Sequence, residues 1–399
     1  MNYDFTTILN REGHDALAVD SLPIQGVKVK EGFTKIPMWV ADMNFPVFPG
    51  IQSAISKRLQ EPHFGYFELP QAYYDSIIRW QKDRHHNDVT KEQIGYENGV
   101  LGCVSNVLQT FTKENDPILV HSPTYIGFTK TLNNNHRKII HSSLILDKHQ
   151  IWRMDYQDMD KKIKEHHIKV CIFCSPHNPT GRVWEKEELE KAMEVYRNND
   201  CIVISDEIWS DLILPGYTHI PTATINEDAK QRTVSIFAPS KTFNLAGLVG
   251  SYHVICNQKL RQEILKTEAR SHYNSPNILS VHALIGAYSK EGEQWVDELC
   301  TVLKTNIELA LNTLHTLAPE IQVSIPQGTY MLYLDCTAWL QKHAMDLDTL
   351  LRKGIEVGIL WQDGRPFQKE NTIRMNLALP TKKVEEAFKR LQNFVFKNS

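Results

Sequence analysis

Short apolar runs recur along the chain, each followed by a longer amphipathic, charged stretch. The runs PILVHS (117–122), VCIFCS (170–175), CIVISDE (201–207), TVSIFAPS (233–240) and GSYHVIC (250–256) show little alternation of apolar and polar positions. That is the pattern of strands covered on both faces. Between them lie helical stretches; in residues 185–198, Leu189, Ala192, Met193 and Tyr196 fall at helical spacing among Glu and Lys. Strands alternating with helices predict right-handed crossovers and a mostly parallel sheet. An α/β fold is expected, with one large α/β domain over residues 50–290.

The last hundred or so residues change character. A helical segment over 295–317 precedes QVSIPQGTYMLYLDC, which alternates like a half-buried strand. A helix over 346–357, the strand TIRMNLAL (372–379) and an amphipathic helix over 381–396 follow. These predict a smaller α+β domain over 291–399. Residues 1–49 have Pro, Gly and polar punctuation with little periodicity, and are expected to pack on the small domain and the cleft.

Composition narrows the function. With 44 basic and 47 acidic residues the net charge is −3, which argues against a nucleic-acid-binding surface as the main business. No stretch approaches the ~18 consecutive apolar residues of a membrane helix, and the first residues lack the apolar core of a secretory signal. Seven scattered cysteines do not form a disulfide framework. The expectation is a reduced, cytoplasmic protein that binds neither nucleic acid nor membrane. Cys171 and Cys174 have metal-like spacing but lie within a predicted buried strand, so no metal site is expected. The adjacent pairs His85-His86 and His166-His167 stand in polar stretches and read as solvated.

In open α/β sheets, ligands bind beyond the carboxyl ends of the strands, so polar residues there come first. TVSIFAPS runs into Ser240 and Lys241, VCIFCS into a Pro-rich turn carrying Asn178, CIVIS into Asp206 and Trp209, and PILVHS into Tyr125. Upstream, Gly99-Val100-Leu101-Gly102 opens a helix, where backbone N–H groups suit an anion. An aromatic face, an amide, a carboxylate, a lysine amine and a phosphate cradle together match the needs of pyridoxal 5′-phosphate: a Schiff-base lysine and an acid for the pyridinium nitrogen. Each residue also has an ordinary use. Asp206 could cap a helix, Tyr125 could pack in the core, and Arg374 could pair with a surface acid.

The ordered set SPHNPTGRVW, SDEIWSDL and APSKTFNLAGL resembles the signature of fold-type I pyridoxal-phosphate enzymes. More narrowly, VADMNF (40–45), HFGYF (63–67), DEIWSDLILPGY (206–217) and GTYMLYLD (328–335) resemble the carbon–sulfur lyase branch, that of cystalysin and the PatB- and MalY-type cystathionine β-lyases. The likeness runs over essentially the whole chain. It implies an aspartate-aminotransferase-like fold with a seven-stranded type of sheet covered by helices.

It also implies roles. Lys241 would hold the cofactor and later shuttle the Cα proton, with Tyr125 stacked on the ring as the other catalytic residue. Asp206 would face the ring nitrogen, Asn178 the ring oxygen, and Val100, Leu101 and Ser240 the phosphate. Trp209 would lie by the cofactor, and Arg374 would grip the substrate carboxylate with Asn178 beside it. Tyr66 would reach the cofactor and substrate of a neighbouring subunit, making a homodimer with shared active sites.

Two positions depart from the family pattern: Trp209, where His or Tyr is usual, and Asn44, where an acid is usual. Val249 stands where many aminotransferases of this fold place a phosphate-gripping arginine, which leans the reading toward a lyase. The activity implied is α,β-elimination from L-cystathionine or L-cysteine S-conjugates, giving a thiol such as homocysteine, pyruvate and ammonia. An aminotransferase is the alternative, and a regulatory protein on the same fold a more distant one.

Overall fold

The apolar runs become the central strands of a sheet in a computed structural model that describes residues 1–397. In chain order the strands are β1 (Ile36–Met38), β2 (Ile94–Glu97), β3 (Pro117–Ser122), β4 (Lys138–Ser143), β5 (Ile145–Leu146), β6 (Trp152–Arg153) and β7 (Val170–Cys174). They continue with β8 (Ile202–Asp206), β9 (Thr233–Phe237), β10 (Ser251–Val254), β11 (Gln322–Val323), β12 (Met331–Asp335), β13 (Ile359–Asp363) and β14 (Thr372–Asn376).

Seven of these form one sheet in the order β2-β10-β9-β8-β7-β3-β4. All neighbours are parallel except β10, which runs antiparallel to β9 and β2. The expected α/β architecture is therefore present. Its strands lack alternation for the predicted reason. On β7, Val170, Ile172 and Cys174 pack with the helix Val100–Phe111 on one face, whereas Cys171 and Phe173 pack with Leu189, Met193 and Tyr196 of the helix Lys186–Asn198 on the other. Each such aliphatic side chain contributes about 1.5–3 kcal/mol when taken out of water, so a polar residue on either face is costly.

A second sheet has the order β1-β13-β14-β12-β11. Here one expectation changes: Met331, Leu332, Tyr333 and Leu334 are all buried, so β12 is a two-sided core strand rather than a half-buried one. The helix Lys290–Leu317 packs behind it, opened by the Ser289 hydroxyl, which accepts the Gly292 N–H at 3.1 Å. Inside that helix, Asn306 donates to the carbonyls of Leu377 and Leu379 at 2.9 and 2.8 Å. Those bonds pin the chain just beyond β14 and so hold the strand that carries Arg374. The last amphipathic segment is α-helical over Thr381–Arg390 and continues as a π-helix over Leu391–Phe396. Among the described residues, no helix is long and apolar enough to cross a membrane.

Candidate functional site

Five strands deliver residues to one end of the seven-stranded sheet. Beyond β2 come Asn98 and Gly99, beyond β3 Tyr125, beyond β7 Asn178, at the end of β8 Asp206, and beyond β9 Ser240 and Lys241. Together with Val100, Leu101, Trp209, Ala41 and Val249 they line a cavity of about 260 Å³. The amine and the acid that the sequence paired therefore face a common space, although 35 positions separate them in the chain (241 − 206).

The electrostatics of the two are complementary. Asp206 is buried, and its carboxylate accepts the Ile208 N–H at 3.1 Å. Among the described residues it has no ion-pair partner. Burial pushes its carboxyl up to about 7, the Ile208 N–H and the Lys241 charge opposing. The helix-capping alternative thus accounts for one bond to this buried carboxyl. Burial likewise drives the Lys241 amine down to about 8, helped by Arg374 and opposed by Asp42 and Asp206. That amine donates to the Ala41 carbonyl at 2.8 Å and lies 5.9 Å from the Trp209 ring centroid.

The anion cradle has a definite backbone cause. Gly99 takes φ +88° as the residue before the helix Val100–Phe111, a conformation that favours glycine. It leaves the N–H groups of Val100 and Leu101 at a helix N-terminus beside Ser240, the arrangement that suits a phosphate. Tyr125 precedes the helix Ile126–Asn134, and its ring crosses Gly127 so closely that a Cβ there would lie 2.3 Å from it. Tyr125 is thus held against the cavity by a packing contact that only glycine permits. Burial, and then the Asp206 charge, raise its phenol above the usual range.

Arg374 projects from β14 toward Asn178, donating to the Asn178 side-chain oxygen at 3.2 Å and to the Trp39 carbonyl at 2.8 Å. It is buried, without an acidic partner among the described residues, and burial pushes its guanidinium down to about 10. The surface-pair alternative is therefore out. Among the described residues, its Nε and the Tyr330 hydroxyl are buried without hydrogen-bond partners.

The structure brings Lys241, Asp206, Asn178, Tyr125, Val100, Leu101, Ser240 and Trp209 to one cavity, with Arg374 tied to it through Asn178. Tyr66 does not line it; its side chain is fully exposed on the same chain. Trp209 is buried edge-on to Tyr330, with ring centroids 4.8 Å apart. At the second departure, Asn44 accepts from Arg11 at 2.7 Å through its amide oxygen, keeping one acceptor where the acid would have had two. Cys171 and Cys174 are buried in β7, on opposite faces of the strand, as expected of core cysteines.

One reading is corrected. His85 is not solvated: its ring is buried and bonds to Asp211 at 2.9 Å. His85 ends the helix Gln71–His85 on its inner face, and only His86, in the left-handed position that follows, turns away.

Sequence reasoning missed a clasp around the loop 39–44. Asn376 donates to the Val40 carbonyl at 2.7 Å and also to that of Asp42. Asn244 both accepts from and donates to the Met43 backbone, at 2.9 and 3.0 Å. Arg11 pairs with Asp42. The signal for Asn376 was available: it stands two residues after Arg374 on the same strand, hence on the same face.

Comparison with known proteins adds independent findings. The model of the class I and II aminotransferase family matches residues 51–391. Cystathionine beta-lyase PatB of Bacillus subtilis is 33% identical over 360 residues, covering 90% of this chain and 92% of that protein. Protein MalY of Escherichia coli is 28% identical over 373 residues, covering 90% and 91%. Cystalysin from Treponema denticola, whose crystal structure contains a pyridoxal 5′-phosphate cofactor, matches with a TM-score of 0.91 at 32% identity, over 98% of each chain.

Proposed function

Because the chain belongs to the family of class I and II aminotransferases, we propose that this cleft binds pyridoxal 5′-phosphate and that the protein is a carbon–sulfur β-lyase of sulfur amino acids. The observation that carries this is the buried Asp206 carboxyl, without an ion-pair partner among the described residues, lining one cavity with Lys241.

The residues fit the cofactor. Asp206 supplies the anion that keeps a ring nitrogen protonated, Asn178 an amide for the ring oxygen and Tyr125 a ring face. Val100, Leu101 and Ser240 supply N–H and O–H donors for the phosphate. Bound there, the cofactor supplies an electron sink for the substrate Cα carbanion.

The chain's own groups do the rest. Arg374 binds the α-carboxylate with its planar fork, and Asn178 orients that fork. The Lys241 amine, held down to about 8, is close enough to neutrality to take the Cα proton, a role worth typically ~10²–10⁴ in rate. Cleavage of the Cβ–S bond then releases the thiol. For L-cystathionine the balance is one water consumed, and homocysteine, pyruvate and ammonia formed.

Val249, which offers no charge to the phosphate, supports elimination over transamination, as do the lyases among the relatives. In this reading residues 50–290 carry the cofactor, 291–399 and 1–49 close over it, and the enzyme works in the cytoplasm. Fully exposed Tyr66 supports a homodimer in which each Tyr66 completes the partner subunit's site.

The test is pyruvate release from L-cystathionine with no added 2-oxo acid. Strict dependence on a 2-oxo acid acceptor, with its amino acid formed in return, would establish the aminotransferase instead.

A further inference from the structure

The residue after Lys241 is held by the last residue of the turn that Asp206 begins. Thr242 donates its hydroxyl to Asp211 Oδ2 at 2.9 Å. Asp211 Oδ1 accepts from Trp80 Nε1 at 3.0 Å and faces His85 Nε2 at 2.9 Å, with Arg84 Nε at 3.5 Å. Thr242 and Asp211 are both buried. The start of the turn is fixed as well: Glu207 accepts from Ser205 Oγ at 3.0 Å and pairs with His219 at 2.8 Å.

Lys241 lies on a helix of four residues, Pro239–Thr242. One turn of helix has almost no stability of its own, so the direction of the lysine must come from tertiary ties. Phe243 supplies packing, stacked on Trp295 with centroids 5.5 Å apart. Beside the bond from Lys241 to the Ala41 carbonyl and those between Asn244 and the Met43 backbone, the Thr242 hydroxyl ties the short helix to the turn after β8 and fixes the backbone next to Lys241.

We propose that Asp211 is a positioning residue, which acts through Thr242 to set the Lys241 amine against the Asp206 carboxyl. This rests on the reading of Lys241 and Asp206 given above. One rigid turn carries the acid at one end and the anchor of the lysine at the other. The spacing of amine and acid is then set by this turn together with the pairing of β8 and β9, in which Asp206 stands opposite Ile236.

The test compares Thr242→Val, which keeps the shape and removes the hydroxyl, with Thr242→Ser, which keeps the hydroxyl. All proteins are loaded with pyridoxal phosphate, and attachment at Lys241 is checked by borohydride reduction and peptide mapping. Thr242→Val should still attach cofactor, release it roughly tenfold faster, and shift the pH midpoint of the bound cofactor's absorbance. Its kcat on L-cystathionine should fall roughly ten- to hundredfold with KM little changed, the effect of a misplaced group. Thr242→Ser should restore all of these.

Wild-type release and absorbance in Thr242→Val would overturn the proposal, even with a lowered melting temperature, and so would failure of the serine to rescue. No cofactor on Lys241 of the wild-type protein would overturn this proposal and the enzyme reading together.

Discussion

Arg374 Nη1 donates to Asn178 Oδ1 at 3.2 Å, joining residues 196 positions apart and two different sheets. The guanidinium is buried with a carbonyl and an amide as its partners and no carboxylate. A buried cation so arranged is poised for an incoming anion, because the desolvation is already in place and only the charge is missing.

Arg374→Lys keeps a charge but loses the planar fork. It should raise KM for L-cystathionine by roughly 10²-fold, about 2.7 kcal/mol, with a smaller change in kcat. Steady-state kinetics on the purified variant check this. A KM within twofold of wild type would move carboxylate recognition elsewhere.

Asp206 makes the cofactor-free protein pH-sensitive in a definite direction. Its folded value of about 7 lies above the ~3.9 of an exposed aspartate. The folded state therefore holds more protons than the unfolded state between those values. Stability from this group is complete below about 4 and is lost as pH rises through 7, up to roughly 4 kcal/mol in all. Asp206→Asn removes that dependence. Denaturant melts of both cofactor-free proteins should show the variant gaining on wild type from pH 4 to 7. Parallel curves would mean that Asp206 is not desolvated.

The strands of the seven-stranded sheet were legible where both faces are buried. Residues 117–122, 170–175, 201–207, 233–240 and 250–256 contain β3, β7, β8, β9 and β10 to within a few residues. Edge strands were not legible. β2 is only Ile94–Glu97 and contains a glycine, and β4 reads KIIHSS, with four of its six residues polar and most of them only partly covered. The antiparallel course of β10 also left no trace, since a strand buried on both faces reads the same in either direction.

In the site, residues with chemistry of their own could be named from strand ends. The carbonyls of loop 39–44 could not, because a backbone acceptor has no letter in the sequence. His85 was misread because adjacent histidines in a polar stretch give no hint of which one faces the inner side of its helix.

Lys241→Ala should abolish the absorbance of lysine-bound cofactor while the protein still binds pyridoxal phosphate through Asp206, Tyr125 and the phosphate cradle. Loss of the base alone costs roughly 10²–10⁴ in turnover. Difference spectra and pyruvate assays measure the two effects separately. Turnover at a tenth of wild type or better would remove Lys241 from proton transfer.

Val249 has φ +55°, and its side chain is half exposed. A β-branched residue in that region is strained by about 1–3 kcal/mol. Val249 lines the same cavity as Gly99, Val100, Leu101 and Ser240. Val249→Gly relieves the strain but costs about 0.5–1 kcal/mol in chain entropy, leaving a net gain near ~1 kcal/mol. Val249→Ala, still bearing a Cβ but unbranched, should fall between them. Denaturant midpoints of the three cofactor-free proteins should rank glycine above alanine above valine. If valine ranks first, packing of its side chain outweighs the backbone strain, and the position is filled for packing rather than merely lacking an arginine.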